Sequence, residues 1–344
     1  MVAFGKHGEL WLDDAGTLIT ATQTPLEGWD PEVDGSTLVF QTTRNAAGTQ
    51  EYSIYALDIG TSGSVPYRLS QQSSSLTSSS GYVNTTIDEG LAAWQQGSYG
   101  SRIQWRAIGT SSLTTFDAAV ELGHGYYTQH PSVWNNPFER AVIAARTEKW
   151  DPNAGTVRMG VVTLDVDGSR FETVVDEAYP PPIASSSPSD PRSLVPHLAA
   201  GRLTYVKQNA IYYRDGVREH ALADLDFKSF SAVYPEHQLQ GLPVCGEYYY
   251  PRVGGTTGQY ILWSGVDCED GYRVLYLTNT NTGLTYFVTD GVGGRDVTDW
   301  SAVPYDIEEN VIVYQVDNGQ FPSVAIEVTM IDESQLVSLR AFGQ

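Results

Sequence analysis

Trp29-Asp30-Pro31-Glu32-Val33-Asp34-Gly35 opens a stretch that runs to Ser70, and the reading of that stretch decides the fold. Thr37-Leu38-Val39-Phe40 follows as a short apolar run, Ser53-Ile54-Tyr55-Ala56-Leu57-Asp58 alternates, and Tyr67-Arg68-Leu69-Ser70 closes the unit. A proline can open a strand without breaking a ladder, Asp-Gly supplies turn backbone, and a period of two marks a strand with one buried face. The stretch predicts one antiparallel blade of four short strands.

The rest of the chain can be laid over this unit. Met1 to Phe4, Glu9 to Asp13 and Thr17 to Thr20 copy its second, third and fourth strands, which predicts a partial first blade over residues 1–22 whose leading strand is missing. Full blades are expected at about 30–70, 84–116, 130–175, 195–222, 250–289 and 301–342. Their opening positions, 31, 84, 131, 196, 251 and 304, recur at intervals of 47 to 65 residues, which suits propeller repeats and not a sandwich. No stretch reads as a long amphipathic helix.

The order Pro31, Asp34-Gly35, Val39-Phe40, Ile54-Tyr55-Ala56-Leu57-Asp58, Arg68-Leu69-Ser70 resembles the TolB-type (PD40, WD40-like) β-propeller repeat. The resemblance implies an all-β chain, a β-propeller of four-stranded antiparallel blades forming a single domain over residues 1–344. Seven blades are preferred, the first incomplete or completed by the C-terminal strand around Leu336 to Phe342; six blades plus a terminal hairpin is the alternative. Such propellers serve many functions, so function has to be argued from sites.

Composition narrows the partners. Lys and Arg number 20 against 41 Asp and Glu, a formal charge of −21, and Lys6, Lys149, Lys207 and Lys228 are the only lysines. Such a surface repels phosphates, which argues against nucleic acid and anionic membranes. Few lysines on an acidic chain fit a salt-rich setting, and the Ser, Thr, Gly, Asn and Tyr content resembles extracellular or particle-borne β proteins. No apolar run approaches the roughly 18 residues of a membrane span, and Met1 to Lys6 lacks the apolar core of a signal peptide. A soluble chain without its own export signal is expected.

In a four-stranded meander, connections alternate between two faces. One face here receives tight turns, at Asp34-Gly35, Asp88-Glu89-Gly90 and Asp332-Glu333-Ser334. The other receives the long segments Gln71 to Tyr82, Asp117 to Gln129, Thr147 to Thr156, Asp176 to Leu194 and Ala223 to Tyr249. Elaborated loops on a rigid scaffold are where binding resides, and aromatics give large contact area at small entropy cost. Tyr126, Tyr127, Trp150, Tyr248 and Tyr249 are therefore the candidate binding residues; the competing reading is that they fold back and cap the core.

Catalytic signatures are missing: there is no G-x-S-x-G, H-E-x-x-H, Walker loop or paired-cysteine zinc pattern, and no catalytic, metal or cofactor residue is assigned. Asp165-Val166-Asp167-Gly168 reads as a hairpin turn because it lacks the further ligands of a calcium loop. His130 and His197, beside opening prolines, read as hydrogen-bonded structural residues. Cys245 and Cys268, the only cysteines, fall on the elaborated face and are a candidate disulfide.

These readings converge on a non-enzymatic binding or assembly module. A structural or host-surface-binding component of a virus particle, a tailed virus of a salt-loving host, fits the acidic, leaderless chain. It would sit on the virion or extracellular surface, cytoplasmic before assembly, with other assembly proteins or a host-surface glycan or protein as partner. The alternatives are a carbohydrate-active hydrolase or lyase and a cell-surface binding protein. In an enzyme, several Asp, Glu or His side chains should converge at the mouth of the central channel with perturbed ionisation, whereas in a binding module they should be spread around the rim.

Overall fold

The computed structural model describes residues 2–6, 9–14, 17–20, 28–44, 50–71, 82–97, 102–136, 138, 140–151, 153, 156–179, 195–207, 210–216, 218–222, 252–266, 273–292, 305–320 and 323–338. The chain divides into two compact units, Met1–Tyr179 and Pro180–Gln344. The fold is all-β, a β-propeller of four-stranded antiparallel blades.

The first unit holds four meanders. They are β1 (Val2–Lys6), β2 (Glu9–Asp14) and β3 (Thr17–Thr20); β4 (Gly28–Asp34), β5 (Thr37–Arg44), β6 (Gln50–Asp58) and β7 (Tyr67–Arg68); β8 (Tyr82–Asp88), β9 (Leu91–Gln96), β10 (Arg102–Ala107) and β11 (Thr114–Asp117); and β12 (Tyr126–Trp134), β13 (Val142–Asp151), β14 (Thr156–Asp165) and β15 (Phe171–Tyr179). One four-residue helix, α1 (Ala118–Glu121), interrupts them, its N-terminus capped by the Asp117 carboxylate accepting from the Ala119 N–H at 3.1 Å. Asp165 to Gly168 is a hairpin turn as expected, closed by the Gly168 N–H donating to the Asp165 carbonyl at 2.8 Å.

Why the second strands read as apolar runs follows from what covers them. Leu38, Val39 and Phe40, like Ala92, Ala93 and Trp94, are fully buried, because a sheet packs on each face. Val39, Ile54 and Ala56 join Ile87, Ala92 and Trp94 in one core between neighbouring meanders. Leu91, Ala93, Ile103 and Trp105 join Val133, Ile143, Ala145 and Val162 in the next. Core lies between blades, so a central strand has no polar face to show.

The inner strands β4, β8 and β12 pack side by side. Each carries a bulge, and at each bulge a polar residue takes a left-handed backbone: Asp30 (φ 51°), Asn84 (φ 52°) and His130 (φ 49°). Asp, Asn and His tolerate this region better than other side chains. The kink aims groups at the next strand: Thr85 Oγ1 donates to the Asp30 carbonyl at 3.1 Å, and Gln95 Oε1 accepts from Asn84 Nδ2 at 2.7 Å and from the His130 N–H at 3.3 Å. A second stitch repeats at the turns, where Asp34 Oδ2 accepts from the Gly90 N–H at 2.9 Å and Asp88 Oδ2 from the Asn135 N–H at 2.5 Å.

β1 packs against β4 as β4 packs against β8. It therefore occupies the inner position, and among the described residues the strand not seen in the first meander is the outer one. The expectation of a missing leading strand is corrected: β1 was aligned on its short apolar run, whereas its neighbour decides its place.

The second unit contains β16 (His197–Ala199), β17 (Arg202–Lys207), β18 (Ala210–Asp215) and β19 (Arg218–Ala221) as one sheet. β20 (Arg252–Thr256), β21 (Tyr260–Val266), β22 (Arg273–Asn279) and β23 (Leu284–Val292) form a meander that shares an eight-stranded sheet with β24 (Tyr305–Glu308), β25 (Val311–Gln320), β26 (Ser323–Met330) and β27 (Val337–Ser338). Among the described residues there are thus six sheets but seven meanders, because a single pair, Val292↔Val316, and β27 join the last two.

β27 is the second correction. The segment around Leu336 to Phe342 was expected to close the last blade or complete the first; Leu339 to Phe342 lie outside the described residues, and in the described part Ser338 pairs with Tyr286 and Val337 with Phe287 on β23. The physical reason is the preceding turn. Glu333 accepts from the Tyr260 and Tyr286 hydroxyls and from Asn279 Nδ2, each at 2.6 Å, which draws the segment onto the β20–β23 meander. Hydrogen bonds to a charged acceptor are the strong ones.

Candidate functional site

The predicted binding residues separate on inspection. Tyr126 and Tyr127, expected in a loop, begin β12 and pair with Lys149 and Glu148 of β13. Trp150 is likewise a strand residue, opposite Val157. The supposed loop Thr147 to Thr156 is mostly ladder, because β13 and β14 pair as far as Asp151↔Thr156. Alternation was hidden there by charge: Glu148, Lys149 and Asp151 lie at the far end of a long hairpin. Tyr248, Tyr249, Cys245 and Cys268 lie outside the described residues.

Register sets the site. Tyr126, Lys149 and Arg158 are successive cross-strand partners and form a transverse row on one face of the β12–β15 sheet. The Lys149 ammonium stands 4.9 Å from the centre of the Tyr126 ring. Arg158 grips Asp176 through two bonds, Nε to Oδ1 at 3.1 Å and Nη2 to Oδ2 at 2.7 Å, and the Tyr126 hydroxyl reaches Asp176 Oδ2 at 3.5 Å. The Asp176 carboxylate raises the pKa of Arg158 further above its ordinary value.

Two cations directly opposite each other across a ladder repel, at a cost of a few tenths of a kcal/mol to about 1 kcal/mol. Asp176 neutralises one of them. Among the described residues, no carboxylate pairs with Lys149. One positive spot therefore persists on a chain of net charge −21. Tyr126 is half-buried against the core that contains Val133 and Ile143, so part of it is structural, whereas Tyr127 is 38% exposed.

Of the inner-strand groups other than the β12 tyrosines, only His130 and His197 were singled out from sequence. Trp29 is 46% exposed beside the β4 bulge. Asp30 keeps contact with solvent, yet the protein around its carboxyl removes enough hydration to raise its pKa, a Thr85 N–H bond opposing. In the second unit Asp306 is pushed up to about 6 by the same loss of hydration, a bond from the Ile307 N–H opposing and the Glu308 charge adding. His197 is held neutral, its pKa lowered to about 4 by burial, and bonds to the Val253 backbone; its Nε2 is buried without a partner. That bond gives His197 the structural role expected of it. For Asp30 the detectable signal was its place before the opening Pro31, read only as part of the entering turn.

Among the described residues no three His, Cys, Asp or Glu side chains group closely enough to hold a metal ion, and no helix is long and apolar enough to cross a membrane.

No protein-family model and no curated protein sequence matches the chain. Solved structures do. Pyrococcus horikoshii acylaminoacyl peptidase is similar over 89% of this chain at 13% identity and a TM-score of 0.50, and the chain spans 46% of that protein. Vibrio parahaemolyticus oligogalacturonate lyase is similar over 98% of this chain and 84% of its own, at 10% identity and a TM-score of 0.53. The β-propeller domain of the Trilobed protease from Pyrococcus furiosus, described as having an open velcro topology, covers 89% of this chain at 12% identity, with 83% of it covered and a TM-score of 0.49. At such identities the likeness is one of fold, and it agrees with the blades described above.

Proposed function

We propose that this chain is a non-enzymatic binding and assembly module, one propeller domain of TolB-like repeats across residues 1–344. In this reading it is a structural or host-surface-binding component of a virus particle from a salt-rich setting, cytoplasmic before assembly and exposed on the virion afterwards. The observation that carries the reading is the row Tyr126–Lys149–Arg158, with exposed Tyr127 next along β12 on the opposite face of the same sheet end. A half-compensated cation over the Tyr126 ring is suited to a partner that presents an isolated carboxylate beside an apolar surface. The partner is a protein of the assembly or a host-surface glycan or protein. The surrounding charge of −21 repels polyanions, nucleic acid included.

Lys149→Glu and Tyr127→Ser test this, since both side chains reach solvent and neither is core. Binding of the labelled chain to intact host cells or to purified particle proteins should fall at least tenfold, with an unchanged melting temperature. Wild-type binding by both variants would overturn the assignment of the row.

A second reading, a carbohydrate-active enzyme, has one observation in its favour: Asp30 in the first unit and Asp306 in the second both have raised pKa values. One of the similar structures is an oligogalacturonate lyase. The net charge works against so anionic a substrate. Release of new chain ends from polysaccharide by the wild type, abolished in Asp30→Asn or Asp306→Asn, would replace the binding reading with this one.

A further inference from the structure

The bulges of β4 and β8 hold polar groups that the fold does not use up. At Asp30 and Asn84 the chain takes a left-handed backbone, φ 51° and 52°, which costs energy for any residue with a β-carbon. The Asp30 carboxyl reaches solvent and accepts from one protein donor, the Thr85 N–H. A carboxylate has room for about four. The Asn84 amide is oriented from behind: Gln95 Nε2 donates to the Gly97 carbonyl, so Gln95 Oε1 takes the Asn84 Nδ2 and leaves Asn84 Oδ1 as the free end. Among the described residues nothing donates to that oxygen.

Trp29 supplies the third element. It stands immediately before the β4 bulge, at the place where β8 and β12 carry Val83 and Gln129, and it is 46% exposed. An indole left half in water adds little to a core, but it offers a flat face of negative potential against which C–H groups can lie. Small-molecule sites combine such apolar contact with a few placed polar groups. Here the polar groups come from two inner strands that pack side by side, stitched by Thr85 Oγ1 donating to the Asp30 carbonyl.

We propose that Trp29, Asp30 and Asn84 form a binding site for a neutral pyranose, its C–H face on the indole and its neighbouring hydroxyls donating to the Asp30 carboxyl and to Asn84 Oδ1. Both free polar ends are acceptors, so the ligand must donate, and hydroxyls arrayed around a ring supply donors in several directions. An alkylammonium presents a single centre, which cannot cover the indole and also reach acceptors on two strands. Uronates and sulfated sugars are disfavoured by the Asp30 carboxylate and by the net charge of −21. The site lies on β4 and β8 and shares no residue with the Tyr126–Lys149–Arg158 row, so the two assignments stand or fall separately.

Saturation-transfer NMR and tryptophan fluorescence on the full chain decide it, with the methyl glycosides of glucose, galactose, mannose and N-acetylglucosamine as probes. The unmodified chain should bind at least one of them, with transfer strongest to the protons on one face of the sugar ring. Asp30→Asn keeps the shape and tolerates the left-handed backbone but removes the charged acceptor, and should weaken that binding about tenfold or more. Trp29→Ala should weaken it about tenfold, whereas Trp29→Phe, which keeps an aromatic face, should retain most of it; circular dichroism of all three should match the wild type. Lys149→Glu should bind the sugar as the wild type does, even where it no longer binds cells or particle proteins. No binding of any of the glycosides, binding indifferent to both Asp30→Asn and Trp29→Ala, binding lost in Lys149→Glu, or Trp29-dependent binding of methylammonium in place of the sugars would each overturn the proposal.

Discussion

Neighbouring meanders are joined by repetition in the first unit and by singular contacts in the second. Asp34 and Asp88 occupy the same turn position in successive blades and make the same bond, to the Gly90 and Asn135 N–H groups. The corresponding turn position in β16 is Ala199, which has no carboxylate, and Arg202 instead bonds the Gly258 carbonyl and the Thr280 hydroxyl. Glu333 stands where the equivalent turns carry Thr61, Thr110, Gly168 and Thr282, none of them a carboxylate. Repetition spreads the joining over many modest bonds, whereas singular contacts concentrate it, and the two arrangements should respond differently to substitution.

The bulge position gives the largest expected contrast. Gly254 sits at the β20 bulge, where the register shifts between Val253 and Gly255, as Asn84 does in β8. A β-carbon on Gly254 would land in the Tyr305 ring and 2.8 Å from the Tyr305 carbonyl oxygen. Gly254→Val should cost about 3 kcal/mol or more, because backbone as well as side chain must move. Asn84→Gly trades one hydrogen bond for relief of the left-handed backbone and should stay within about 1 kcal/mol. Urea denaturation of both variants checks this; equal losses would mean that the bulges are equivalent and the contrast is false.

Next in size is Glu333. Its pKa is lowered from 4.5 because the Tyr260 and Tyr286 hydroxyls donate to the charged form, against a loss of hydration smaller than either bond, with Asn279 adding least. Burial first, and then the same bonds, push the pKa values of Tyr260 and Tyr286 up to about 12. A carboxylate with a lowered folded pKa contributes stability that is complete above the unfolded value and is lost as pH falls through the folded one. Glu333→Gln should therefore cost about 2 kcal/mol at pH 7, and the deficit should close as pH drops below about 4.5. Melting curves at pH 7 and below pH 4 measure it; a deficit independent of pH would mean that shape, not charge, holds the turn.

How much of this could be read in advance depends on whether a feature is local. The blade from Trp29 to Ser70 was legible because proline, Asp-Gly and alternation are signals carried within each strand. The inner position of β1 and the destination of β27 were not, since both depend on which sheet lies alongside. Tyr126 and Tyr127 were found by their aromaticity but misplaced as loop residues, because the charged far end of a hairpin resembles a loop when its partner is unseen. Lys149 and Arg158 gain meaning only through cross-strand register, which no spacing in the sequence reveals.

The smallest expected effect is the one that tests the comparison most directly. Asp88 makes the repeated stitch, yet its pKa is raised from 3.8: loss of hydration outweighs the single Asn135 bond, and the charges of Asp34 and Glu89 push the same way. One donor does not compensate a carboxylate for leaving water, whereas three donors on Glu333 do. The sign of the pH effect therefore inverts. A raised folded pKa means that the native state takes up the proton first, so this group opposes folding at neutral pH and the penalty disappears as pH falls through the folded value towards 3.8. Asp88→Asn keeps a carbonyl oxygen for the Asn135 N–H and removes the charge. It should match the wild type or exceed it by about 0.5 kcal/mol at pH 7, and the two should converge near pH 4, where Glu333→Gln also converges but from below. If Asp88→Asn is instead the less stable protein at pH 7 and recovers in acid, the stitch acts through its charge, and the two carboxylates do the same work.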